Sequence, residues 1–172
     1  NNFAIDKALI EQFLHSMQMD LQQIDYNSDL YNENILGSAE VVGLMCLQVF
    51  VGGNKETFDN LKPYAMKLGS AFQKINFLPD LKDDYHLLGR TYFPNIDMKT
   101  FNNNIKLEIE NEIQAEFNEA LTGIKKLPAS SKFGVYLAYK YYLSLFKKIK
   151  GTPAEKIMNH RIRIPNGQKL YL

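Results

Sequence analysis

Asp80 and Asp84, four residues apart, are the pair in this sequence whose type and spacing best suit chemistry. On a helix, positions i and i+4 hold their Cβ atoms about 5–6 Å apart on one face, where like charges repel unless a cation sits between them. Short carboxylates on a rigid element suit Mg²⁺, a hard ion that keeps waters and is commonly shared with substrate phosphates. With Gln73 at zero and about 100° per residue, Asn76 falls near −60°, Asp80 near −20° and Asp84 near +20°. Ala71, Ile75 and Leu78 gather on the opposite side. An ordinary surface helix has a polar stripe too, but this one uses short amides and carboxylates. Gly69 and Met66 extend it with small and apolar residues where a solvated face would carry Lys and Glu. The spacing alone is not specific. Asp25 and Asp29 repeat it among turn-forming residues and read as loop acids; Glu108, Glu112 and Glu116 repeat it beside Lys106 and read as a solvated helix face.

The elements that must position these groups are helical. Apolar residues at 5, 9, 10, 13, 14, 17 and 21 predict an amphipathic helix over Ala4 to Gln23. A second helix is predicted from about Leu30 to Phe50, stopped by Gly52 and Gly53. A third starts with Pro63 in its first turn and runs toward His86. The run 89–94 reads as an ordered loop. A fourth helix spans about Asn104 to Lys125, and a fifth, capped by Ser130 and Ser131, about Lys132 to Lys150. A short helix is expected after Pro153. No strand pattern competes, so the expected fold class is all-α, one helical domain over residues 1–172.

Composition narrows the setting. At 172 residues, the chain can bury roughly two-thirds of its unfolded surface, and 45% hydrophobic content excludes a disordered tail. Twenty basic against nineteen acidic residues give a formal charge of +1, which predicts no electrostatic pull toward nucleic acid or an acidic membrane. The single Cys46 cannot form an intramolecular disulfide, and three scattered His residues give no zinc spacing. Residues 1–6 have neither the basic start nor the apolar run of a secretory signal, and no stretch approaches the ~20 apolar residues of a membrane span. The expected location is the cytoplasm.

The run LGSAFQKINFLPDLKDD from Leu68 to Asp84, followed by Gly89-Arg90-Thr91-Tyr92-Phe93-Pro94, resembles the second aspartate-rich motif of the squalene/phytoene synthase family. That motif reads L-G-x-A-x-Q-x-x-N-x-L-R-D-x-x-x-D, then G-R-x-Y-x-P. Gly37-Ser38-Ala39-Glu40-Val41-Val42-Gly43 resembles the family's G-x-A-x-x-V-G helix, and Met17-Gln18-Met19-Asp20-Leu21 its G-M-x-x-D-L segment. Arg161-Ile162-Arg163-Ile164 resembles its basic C-terminal stretch. The match runs in order along the chain and is closer to bacterial phytoene synthases than to eukaryotic squalene synthases.

The resemblance implies an all-α isoprenoid synthase-type bundle, here its C-terminal portion, around an apolar cavity that takes prenyl diphosphates. It implies head-to-head condensation of two geranylgeranyl diphosphates to phytoene, with squalene or dehydrosqualene synthesis and a non-catalytic prenyl-lipid binder as alternatives. Carried over by position, Asp80 and Asp84 become ligands of Mg²⁺, or of Mn²⁺ in its place. Gln73, Asn76 and Asp20 become cavity residues, and Arg90 and Arg161 contacts of the diphosphate, each weighed against a surface ion pair. Neither Arg nor Asp implies a nucleic-acid partner. A peripheral membrane contact for release of the lipid product follows from the same resemblance. The sequence departs from the pattern in three ways. The first D-x-x-x-D helix does not precede Asp20, so the 172 residues alone are expected to be inactive. Asn34 and Leu36 stand at Tyr positions. Pro79 stands at an Arg position and is expected to bend the helix directly before Asp80, which either re-aims that residue or marks a lost part of the diphosphate clamp; the second reading is favoured, so Pro79→Arg is expected to raise stability and tighten Mg²⁺–diphosphate binding.

Overall fold

The computed structural model describes residues 5–19, 28–88, 93 and 100–157, with backbone alone for 28 and 80–88. Among them, helical periodicity resolves into α1 (Lys7–Met19), α2 (Ser28–Ile35), a π-helical segment (Leu36–Glu40), α3 (Val41–Phe50), α4 (Lys55–Leu88), α5 (Asn103–Lys126), α6 (Ala129–Lys150) and α7 (Ala154–Ile157), with no strand. The all-α expectation holds.

Local chemistry explains most boundaries. Asp6 caps α1 by accepting from the Ala8 N–H at 3.0 Å. The helix expected over Leu30–Phe50 does form, but it carries a wider turn at Leu36–Glu40, where the Val41 N–H reaches back to the Leu36 carbonyl. Gly52 and Gly53 end it with φ of 62° and 78°, values that favour glycine. Asn54 then opens α4 by accepting from the Thr57 N–H at 2.8 Å. α4 therefore starts eight residues before Pro63, which lies inside the helix and not in its first turn. Asn102 caps α5 by accepting from the N–H groups of Asn104 and Ile105, and Lys125 and Lys126 suit the negative end of its dipole. α6 begins earlier than expected, at Ala129. Ser131 does not cap it; its hydroxyl donates to the Pro128 carbonyl at 3.3 Å.

α4 and α5 lie antiparallel as the central pair. Lys74 meets Glu112, Ser70 meets Glu116, and Gly123 abuts Tyr64, so position falls along α4 as it rises along α5. The opposite face predicted for α4 is the core: Ala71, Ile75 and Leu78 are fully buried against Ile113 and Phe117 of α5 and Phe146 of α6. Leu47, Val51, Leu61 and Leu127 form a second cluster at the other end. Small residues set the approach of α3 to α4: a Cβ on Gly69 would lie 2.5 Å from the Ala39 carbonyl oxygen, and one on Gly43 2.7 Å from that of Ala65. The run Asp29–Phe50 is long and apolar enough, by length and composition, to cross a membrane, contrary to the sequence expectation. One side of it packs into the bundle, with Tyr31, Asn34, Val41, Leu44 and Leu47 buried.

One expectation about side chains fails in part, and another is revised. Of the acidic ladder of α5, Glu108 and Glu112 are exposed as expected, but Glu116 is buried, as are Glu110 and Lys106 beside it, so the ladder is not wholly a solvated face. Pro79 is buried too. An arginine there would lose its hydration, so Pro79→Arg is not expected to raise stability as the sequence suggested.

Candidate active site

A cavity of about 610 Å³ opens between α3, α4, α5 and α6. Its walls are small or apolar: Val42, Gly43 and Cys46 from α3; Ala65, Leu68, Gly69 and Phe72 from α4; Ala120 and Gly123 from α5; Val135 and Ala138 from α6. Gly43 and Gly69 draw the helices together, and the stacked rings of Phe72 and Tyr142, 3.8 Å apart, close one side. Polar groups enter from the stripe read on α4 and from Ser38, Ser130 and Ser131 on other walls. Gln73 and Asn76 both line the cavity, Gln73 half-buried and Asn76 exposed at its rim.

Asp80 and Asp84 are placed by the backbone of α4, which continues unbroken to Leu88. Their register puts them on the face of Gln73 and Asn76, one and two turns further on. Asp20, Arg90 and Arg161 lie outside the described residues. The structure thus brings together Gln73 and Asn76 by contact with one cavity, and adds Asp80 and Asp84 by register. Among the described residues, no cluster of three or more His, Cys, Asp or Glu is arranged to hold a metal ion.

Behind the cavity, on the adjacent face of α4, lies a buried polar network that the sequence reading missed. Lys74 Nζ donates to Glu112 Oε1 at 2.5 Å and to Glu116 Oε1 at 2.9 Å, and Ser70 Oγ donates to Glu116 at 2.9 Å. Lys67 lies 3.6 Å from Glu116, and Lys106 pairs with Glu110 one turn along α5. Burial pushes the Glu40 carboxyl above its usual range, with Lys67 opposing and Glu116 reinforcing the shift. Burial, then the charges of Glu112 and Glu116, push the Tyr31 phenol well up, so it stays protonated. The Tyr31 hydroxyl and Ser16 Oγ find no hydrogen-bond partner among the described residues. Asn34, at the first Tyr position, is buried and accepts from Ser38 Oγ at 3.4 Å. The alternation of Lys67, Ser70 and Lys74 along one side of α4 was the available signal for the network.

The described residues thus form an all-α bundle with a largely apolar cavity that Gln73 and Asn76 line from α4. The squalene/phytoene synthase family model matches residues 1–108, and the chain belongs to that family. Its fold is an all-α bundle consistent with the isoprenoid synthase type, and the family's chemistry is prenyl transfer from prenyl diphosphates. A search of curated proteins found no match.

Proposed function

We propose that the chain serves the head-to-head condensation of two geranylgeranyl diphosphates to phytoene with release of diphosphate. The observation that carries this reading is the apolar cavity whose wall ends in Gln73 and Asn76, on the α4 face that Asp80 and Asp84 continue. Leu61 and Asn76 both line it, 15 residues apart on one helix, a rise of roughly 22 Å. Four isoprene units, advancing about 1.25 Å per C–C bond when extended, span roughly 19 Å and fit within that length. The choice of geranylgeranyl over farnesyl chains rests on that match.

The donor set fits a hard divalent cation: two short carboxylates at i and i+4, with two neutral amides upstream. Asp80 and Asp84 would hold Mg²⁺, which when bound neutralises the leaving diphosphate. Gln73 and Asn76 orient the head group by hydrogen bonds. The walls formed by Val42, Leu68 and Phe72 exclude water, which would otherwise quench an allylic cation. Cytoplasmic location belongs to the same reading.

A thermal melt tests it. Geranylgeranyl diphosphate with Mg²⁺ should raise the melting temperature of the chain, because only the folded state binds. Farnesyl diphosphate should raise it less, and Asp84→Asn should remove most of the Mg²⁺-dependent part. An equal rise in Asp84→Asn would overturn the metal assignment. An equal rise with geranylgeraniol, which lacks the head group, would favour a lipid-binding homologue over an enzyme.

A further inference from the structure

Charged side chains are seldom buried, yet a group of them meets between α4, α5 and the π-helical segment. Lys74 and Glu116 are 4% and 5% exposed. Lys74 Nζ bridges Glu112 and Glu116, and Ser70 Oγ lies within 3.1 Å of both Glu116 carboxylate oxygens. Lys67 approaches Glu116 to 3.6 Å, and Glu40 of the π-helical segment feels the charges of Lys67, Lys74 and Glu116.

Stability does not account for this arrangement. A buried ion pair seldom outperforms apolar side chains of the same volume, because each ion gives up its hydration. What it supplies is direction, since an ammonium bonded to two carboxylates accepts only a narrow range of geometry. The other contacts of α4 lack that property. Ala71, Ile75 and Leu78 pack by apolar contact, which is non-directional. Gly69 faces Ala39 and Gly43 faces Ala65, so the backbones of α4 and its neighbours approach closely with no side chain interlocked there.

Angular position connects the network to the cavity. With Gln73 at zero and about 100° per residue, Ser70, Lys74 and Lys67 fall near +60°, +100° and +120°. Gly69, Asn76, Ala65 and Phe72, which line the cavity, fall between about −40° and −100°. Rotating α4 about its own axis by about 20° moves a side-chain tip, roughly 5–6 Å from that axis, by about 2 Å. That displacement breaks a hydrogen bond to a ligand. The carboxylates that resist the rotation belong to α5, which is itself anchored by the fully buried Ile113 and Phe117.

We propose that Lys74 is a positioning residue: bound to Glu112 and Glu116, it fixes the rotation of α4 and so aims Gln73 and Asn76 at the head group of a bound prenyl diphosphate. The proposal rests on the reading of those two amides as head-group contacts. Lys74 itself touches no ligand. Its effect is confined to the polar end of the cavity, because Val42, Ala120 and Val135 belong to other helices and do not turn with α4.

Binding titrations of the 172-residue chain test this, with geranylgeranyl diphosphate plus Mg²⁺ and with geranylgeraniol, the same chain without the diphosphate. Lys74→Met with Glu116→Gln keeps the volume and leaves no fully buried charge unpaired, so it should melt close to the parent. It should bind the diphosphate about tenfold more weakly, the loss of one hydrogen bond to a charged group, and bind geranylgeraniol unchanged. Lys74→Arg, whose guanidinium can span both carboxylates, should retain the parent's preference for the diphosphate. Ser70→Ala, a smaller change, should lose about threefold for the diphosphate alone, and it decides the matter where the double variant does not fold. Equal weakening of both ligands would overturn the proposal, since the network would then merely hold the bundle together. A parent and folded variants that all prefer the diphosphate equally would remove the proposal and leave the head-group reading standing. A parent that binds both ligands equally would remove the head-group reading, and the proposal with it.

Discussion

Glu40 lies half-buried in the π-helical segment, under the influence of Lys67, Lys74 and Glu116. Its folded pKa is raised, with burial as the main cause. The folded state therefore holds the proton more tightly than the unfolded chain. That contribution to stability is fully present below the unfolded carboxyl pKa, and it is lost as pH rises through the raised folded value. Glu40→Gln, which keeps a neutral side chain at every pH, should melt higher than the parent at pH 7. The two curves should converge near about pH 4, where Glu40 itself is neutral. Melting temperatures across that range check this. The neighbouring Lys74–Glu116 pair behaves differently: each charge is matched by the other, and Ser70 satisfies a further carboxylate lone pair.

On the scale of an element, α4 continues through Pro79 at the cost of one backbone bond. The proline has no N–H for the Ile75 carbonyl, a defect of about 3 kcal/mol in a helix interior. Pro79→Ala restores that donor but removes about two buried methylenes, worth about 1.6 kcal/mol. A net gain of about 1 kcal/mol is expected in urea unfolding. A loss would show that the packing of the buried proline ring outweighs the missing backbone bond. The core face of α4 was legible in sequence, since Ala71, Ile75 and Leu78 follow one helical period and that period alone decides which way they point. The wider turn at Leu36–Glu40 was not, because a wheel drawn at 3.6 residues per turn assumes the regularity that this segment breaks. The burial of Glu116 was not legible either. It depends on Lys74 and Ser70, 42 and 46 residues away in sequence, and no local pattern on α5 carries that information. For the candidate site, Gln73 and Asn76 were readable as one stripe, while the other walls come from α3, α5 and α6 and emerge only with tertiary packing.

For the whole molecule, the cavity offers a direct reporter. Cys46 is exposed and lines it, and it is the single cysteine of the chain. A prenyl chain in the cavity should shield this thiol, so geranylgeranyl diphosphate should slow its alkylation by iodoacetamide about tenfold at a concentration near ten times its dissociation constant. Alkylation followed by mass spectrometry measures this, and an unchanged rate would place the lipid elsewhere. The cavity wall and the π-helical segment meet at Ser38 and Ala39, and the segment governs phase as well as shape. A π turn accommodates one more residue than the α-helical lattice, so Ser28–Ile35 and Val41–Phe50 behave as two gears meshed one tooth apart. Each residue of offset is worth about 100° of rotation. That tooth turns Tyr31 and Asn34 inward while Gly43 stays against Ala65, a combination that an unbroken α-helix of the same sequence could not hold.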